Sequence, residues 1–194
     1  MTGRLSSKAR KKQIFKVSLK IINEEGFYNL TMRNIAGKIG ISEAAVYRHF
    51  TSKEELINEL ADNYFCQKMD KNNLKNKKNA IEKLKYIMES QFEIFSEDPL
   101  ITAITFQEEM FREFPETWNK FRQHTKRKEK TIINIIETGQ TKNEISQAVK
   151  AEAFTVLFMG AIRMTVLRWK ENDFSYSIIE AGKGIFQEIT RNLI

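Results

Sequence analysis

Cysteine and proline are nearly missing from this chain of 194 residues: there is one cysteine, Cys66, and there are two prolines, Pro99 and Pro115. A single thiol excludes an intrachain disulfide framework and suits a reducing compartment. Histidine is almost as scarce. His49 and His124 lie far apart, Cys66 has no neighbouring base, and no Gly-rich phosphate loop or metal-spaced cluster occurs. Paired acids such as Glu108 and Glu109 are adjacent, so on a helix they point in different directions. Enzymatic chemistry, a metal and a cofactor are therefore not expected. Long apolar runs are also lacking. The longest apolar stretch, 153–162, is too short to span a bilayer and reads as part of a buried helix. The basic N-terminus is not followed by an apolar segment, so we expect no secretory leader and a cytoplasmic protein with no membrane contact.

What is present is helix-forming sequence and an uneven charge. Strong helix formers dominate and β-patterned runs are rare, which predicts an all-α fold with about nine helices. Residues 1–23 hold Arg4, Lys8, Arg10, Lys11, Lys12, Lys16 and Lys20 and no acid. These are 7 of the 32 basic residues; the other 25 are balanced by the 25 acids, so the whole net charge of +7 sits at one end. A localised basic patch is the footprint of a polyanionic partner. A solvated tail is the competing reading.

The periodicity predicts a first helix from Ser7 to Glu25 on the stripe Ile14, Val17, Ile21 and Ile22, stopped by Gly26. Thr31 reads as the N-cap of a short helix from Met32 to Ile39, buried through Ile35 and Ala36. Gly40 ends it, and Ser42 caps a third helix from Glu43 to Phe50. Ser52 and Glu55 fit a capping box that opens a fourth helix running to about Met69. The turn Gly40-Ile41-Ser42 supplies a left-handed residue, an inward apolar residue and a cap, so the two flanking helices cross steeply as a helix-turn-helix. Its second helix, inside "GISEAAVYRHFTSKEEL", is too polar for a core helix and fits a major groove.

The polar segment 71–79, "KNNLKNKKN", reads as a linker, with a second phosphate patch as the lesser alternative. Amphipathic helices follow. One runs from Ala80 to Ser96. The next starts at the cap Asp98 and Pro99 and ends near Phe111. A third runs from Pro115 to a stop at Gly139. A fourth is capped by Ser146 and is apolar nearly all round from Ala153 to Leu167. The last runs from Tyr176 to Asn192 on Ile178, Gly182, Ile185 and Ile189.

The run "TMRNIAGKIGISEAAVYRHFTSKEELI" resembles the N-terminal domain of TetR-family transcriptional regulators. The resemblance covers Ile14 to Ile57, and "SEAAVYRHF" is also similar to the nucleoid-occlusion branch of that family. It implies a DNA-binding domain over residues 1–52 and a ligand-binding and dimerisation domain over 53–194. It also implies DNA contacts. Thr31 sits where helix N–H groups and its hydroxyl bind phosphate. Arg33 reaches a guanine edge or a phosphate. Tyr47 and His49 offer polar tips to phosphate oxygens, with a core aromatic and a helix cap as the alternative readings. Lys53 opposes the dipole of its helix, so a phosphate partner is the reason to expect it there. Ser42, Glu43, Ala44, Ala45 and Arg48 are the base-reading candidates, with Glu43 also readable as a first-turn acid and the alanines as contacts to thymine methyls. Lys8 and Arg10 join the set from the basic segment. Gly37 stands where the family has a helix former.

For the larger part, the family implies a ligand pocket and a dimer interface. Tyr86, Met88, Phe92, Phe106, Met110, Trp118, Phe121 and Phe158 form an aromatic and methionine set that suits a small hydrophobic ligand, with plain core as the alternative for each. Arg163, inside the apolar run, reads as a structural ion pair with an acid such as Glu108 or Glu109, or as an anchor for a carboxylate ligand. His124 reads as a surface histidine or one with its partners satisfied. Gly160 and Gly182 suggest close approach of a partner helix, so a homodimer through the last two helices is expected. The function expected is a repressor released from a palindromic operator by ligand, or alternatively an architectural protein of nucleoid-occlusion type acting through a protein partner.

Overall fold

The computed structural model describes residues 5–66, 74, 76–105, 108–191 and 193. Among these there is no strand, as the composition requires. Ten α-helices follow in order: α1 Ser7–Glu25, α2 Met32–Ile39, α3 Glu43–Tyr47, α4 Lys53–Ala61, α5 Ala80–Glu97, α6 Thr102–Thr105, α7 Glu108–Arg112, α8 Pro115–Thr141, α9 Ala151–Glu171 and α10 Ile178–Thr190. Short 3₁₀ turns occupy Phe27–Asn29 and Pro99–Ile101, and a π-helical turn, Asp62–Cys66, follows α4. The expected end of the fourth helix near Met69, and residues 71–73 and 75 of the expected linker, fall outside the described residues.

The backbone forms two compact units, Met1–Cys66 with Leu100–Phe121, and Gln67–Pro99 with Arg122–Ile194. In the first, α1 buries Ile14, Phe15, Ser18, Leu19, Ile21 and Ile22. Phe15 meets Phe50 with ring centroids 5.4 Å apart, and Leu30, Ile35, Val46, Phe50 and Leu56 are fully buried. Val17, expected in the stripe, is only half-buried. Serine caps act as read: Ser42 Oγ accepts from Ala45 N at 3.2 Å and Ser52 Oγ from Glu55 N at 3.0 Å. Glu55 turns its carboxylate back to Thr51, accepting from both its N–H and its hydroxyl, one residue before the cap.

In the second unit α10 packs on α5 and α9, and α5 also packs on α9. Trp169 Nε1 donates to Tyr176 O at 2.8 Å and its ring lies edge-on to Phe174, which closes the α9–α10 hairpin.

Four expected boundaries differ in the structure. α3 ends at Tyr47, so Arg48 and His49 lie in the turn that leads to Phe50. Asp98 is the C-cap of α5 rather than the cap of a following helix: a residue before proline disfavours the helical region, and Asp98 N–H completes a bond to Ile94 O. Gly139 lies inside α8, which continues to Thr141. Its missing side chain is needed for packing, since a Cβ there would sit 2.8 Å from Ala80 Cβ and 2.9 Å from Ile145 Cδ1. Ser146 belongs to the preceding turn, donating its N–H to Leu193 O and accepting from Ala148 N, while α9 opens five residues after it without a side-chain cap.

Candidate nucleic-acid interface

The helix-turn-helix is set by backbone rules. Gly40, at φ +76° and ψ 37°, takes the left-handed conformation that ends α2. Its N–H and that of Ile41 both return to Ala36 O, and Ser42 then starts α3. Val46 and Phe50 anchor the recognition segment in the core, leaving Ser42, Glu43, Ala44, Tyr47 and Arg48 exposed. Ala45 is half-buried. Tyr47 is 45% exposed, which removes the core-aromatic reading.

Two N-caps bring hydroxyls to this face. Thr31 Oγ1 accepts from Asn34 N at 3.0 Å, as Ser42 Oγ does from Ala45 N. In both, the oxygen is engaged by its own helix while the hydroxyl hydrogen remains a donor for a phosphate or base oxygen. Arg33 is exposed on the first turn of α2.

Ion pairs outside the motif hold α2 and α4 against α1. Glu25 pairs with Lys38 at 2.6 Å and accepts from Asn34 Nδ2 at 2.9 Å, and the Lys38 bond, ahead of the Asn34 bond, holds its carboxyl below the usual range. Lys11 bonds Glu59 at 2.6 Å and lies 4.7 Å from the Phe50 ring centroid. Lys11 thus acts within the fold, whereas Lys8 is exposed and Arg10 Nη1 bonds Gln13, one turn on, at 2.7 Å.

His49 gathers the basic N-terminus onto the end of α3. Its Nδ1 lies 3.4 Å from Ser7 Oγ. Burial pushes its pKa below the ordinary value, and the charges of Arg10, Lys11 and Arg48 push in the same direction. An anion placed beside this ring and these cations would favour its charged form.

Lys53 corrects one step of the sequence argument. A structural reason for it does exist: its Nζ lies 4.1 Å from the Phe27 ring centroid, and Phe27 in turn meets Phe114 edge to face. Burial lowers the Lys53 pKa, and Glu113 partly offsets this. Tyr28, which the sequence did not single out, is 87% exposed in the turn before Thr31. Its only signal was an aromatic pair after Gly26.

The expected pocket residues divide between the units. Met88 and Phe92 on α5 and Phe158 on α9 are buried in the second, where Tyr86 is half-buried under Lys77 Nζ at 4.5 Å. Met110, Trp118 and Phe121 belong to the first unit, where Trp118 and Phe121 stack at 5.9 Å. Phe106 and the side chains of Glu108 and Glu109 lie outside what is described. Arg163 is exposed on α9, so it is not buried in the apolar run as expected. His124 is buried, which removes its surface reading. Gly182 accommodates the chain's own Phe92 ring, which a methyl group would overlap, rather than a partner helix. Gly160 meets no atom within 4 Å of an added Cβ, and it lies beside the exposed Val156, Leu157 and Met164.

Comparison with known proteins gives this geometry a family. Residues 14–60 match the model "Bacterial regulatory proteins, tetR family", and residues 59–192 match "YsiA-like protein, C-terminal region" of TetR regulators. The fatty acid metabolism regulator protein of Bacillus subtilis is 23% identical over 178 residues, covering 90% of this chain and 91% of that protein. The nucleoid occlusion factor SlmA of Vibrio vulnificus is 22% identical over 182 residues, 93% of each. The crystal structure of the regulator FadR from Bacillus subtilis in complex with stearoyl-CoA superposes with a TM-score of 0.75 at 19% identity, covering 94% of this chain and 99% of that one. With one model over its helix-turn-helix and another over the remainder, the chain belongs to the TetR family, whose members are DNA-binding transcriptional regulators and not enzymes.

Proposed function

We propose that the protein is a cytoplasmic repressor that occupies a palindromic operator as a homodimer and leaves it when a small hydrophobic ligand of the fatty-acyl class binds. Residues 1–52 serve as the DNA-binding domain and 53–194 as the ligand-binding and dimerisation domain. The observation that carries the ligand is the similarity over nine-tenths of the chain to a regulator of fatty acid metabolism, joined by a fold shared with a regulator holding stearoyl-CoA. The ligand acts by preferring a conformation in which the two recognition helices no longer match their half-sites, and DNA affinity falls by the ratio of ligand affinities for the two states.

Dimerisation is supported by the exposed apolar strip Val156, Leu157 and Met164 around Gly160 on α9. These side chains are 71%, 65% and 55% exposed, more than a lone helix needs to show to water. DNA contact is supported by the exposed Tyr47, the two capping hydroxyls and the cations around His49. Among the described residues no helix is long and apolar enough to cross a membrane.

The test is fluorescence anisotropy on a labelled duplex from the region upstream of the protein's own gene, with palmitoyl-CoA titrated into the preformed complex. Release at micromolar ligand supports the reading. Undiminished binding at saturating palmitoyl-CoA and palmitate contradicts it. The similarity to SlmA favours a second reading, architectural binding with a protein partner. Many scattered chromosomal sites and indifference to every acyl compound would distinguish it.

A further inference from the structure

Gln91 lies on α5 and is 4% exposed. Ile87 and Met88, one turn before it, and Phe95, one turn after, are buried beside it on the same face. Its Oε1 accepts a hydrogen bond from Lys128 Nζ of α8 at 2.8 Å. That bond fixes which end of the amide faces the cation. The other end, Nε2, is fully buried and has no hydrogen-bond partner among the described residues. All these residues belong to the second unit.

Buried side-chain donors are almost always paired, and leaving one unpaired costs stability that a leucine of similar size would not forfeit. A donor held in place by a lysine, with apolar side chains along its helix, is suited to an oxygen acceptor carried on an apolar body. The Lys128 charge, one bond away, favours an acceptor with full or partial negative charge. His124, also buried, precedes Lys128 by one turn on the same face of α8, so the polar groups lie on one side of that helix.

We propose that Gln91 Nε2, backed by Lys128 Nζ, is the anchor for the acyl oxygen of the ligand, whose chain packs among Ile87, Met88 and Phe95. This rests on the acyl-ligand reading above. Two sources carry the same chemistry, the carboxylate of a free fatty acid and the carbonyl of an acyl thioester.

Isothermal titration calorimetry on the full chain separates the cases, with palmitate, palmitoyl-CoA and S-hexadecyl-CoA, a thioether that lacks the carbonyl. Wild type is expected to bind at least one acyl compound. If that is the thioester, it binds about tenfold or more tighter than the thioether, because a lost bond to a buried donor is costly. Gln91→Leu is expected to keep its folding temperature or raise it, to keep DNA affinity, and to lose about tenfold or more in acyl affinity, erasing the thioester–thioether difference. Lys128→Met checks the same prediction from the other partner and should weaken palmitate more than palmitoyl-CoA. Equal acyl affinity in wild type and Gln91→Leu overturns the anchor alone, as does strong destabilisation of Gln91→Leu, which would make the amide a structural group. Absence of acyl binding to wild type overturns the acyl-ligand reading and the anchor with it.

Discussion

Substituting Gly182 by alanine should destabilise the protein although it sits in the interior of α10, where alanine is the better helix former. The gain in helix propensity is about 1 kcal/mol. Against it stands the Phe92 ring, which an added methyl group would overlap and which is itself 1% exposed, so the ring has no free space to enter. Overpacking of a filled core costs about 1–3 kcal/mol, and a direct overlap with a buried ring belongs at the upper end. The net is a loss of about 1–2 kcal/mol, and for a chain of 194 residues each kcal/mol moves Tm by about 2–4 °C. Thermal unfolding followed by circular dichroism should show a fall of about 2–8 °C. Gly37→Ala is the matched control: nothing lies within 4 Å of its added Cβ, and about 0.5–1 kcal/mol should be gained. Gly182→Ala with Phe92→Leu should recover part of the loss, because the shorter side chain vacates the overlap. A Gly182→Ala protein as stable as wild type would refute the packing role and return Gly182 to the partner-contact reading.

Three further outcomes follow from the interface. Lys53→Met keeps the stem over Phe27 but removes the charge, so it should weaken DNA binding and lose about 0.5–1 kcal/mol of stability with the cation–π contact; an unchanged Tm would refute that contact. His49 has its pKa pushed below the ordinary 6.5, so the folded, free protein holds fewer protons there than the unfolded chain, and its stability declines as pH falls below that value. A DNA phosphate favours the protonated ring, so affinity at constant salt should rise from about pH 8 to about pH 6, and His49→Asn should flatten the profile. Leu157→Glu should convert the proposed homodimer to monomer in sedimentation velocity without unfolding the chain; an unaltered mass would move the proposed interface off α9.

The helix-turn-helix was legible because its determinants are local. Thr31, Ser42 and Ser52 cap the helices they immediately precede, and Gly40 needs only its own backbone angle to end α2. Roles set by distant residues were not legible. Gly139 looks like a stop until Ala80 and Ile145 are placed against it, and Gly182 suggests a partner helix until Phe92 fills the space. Lys53 seemed to need a phosphate because Phe27, 26 positions earlier, gives no sequence sign that it will lie beneath the ammonium. The same holds for the site. Exposure of Tyr47 follows from the spacing of Val46 and Phe50, but the gathering of Ser7 and Arg10 around His49 depends on how α1 crosses the recognition segment. Gln91 was invisible among the polar residues of α5, since nothing in the sequence says that its amide is buried.

The most direct test of the central claim, that the α2–α3 face reads DNA, is anisotropy binding to the upstream duplex beside a scrambled duplex across a salt series, for wild type, Tyr47→Phe and Lys53→Met. The account predicts tighter binding to the upstream duplex, a steep fall with salt, and weakening of both variants on either duplex with a shallower salt slope for Lys53→Met. Equal affinity for the two duplexes, with neither substitution having an effect, would contradict it.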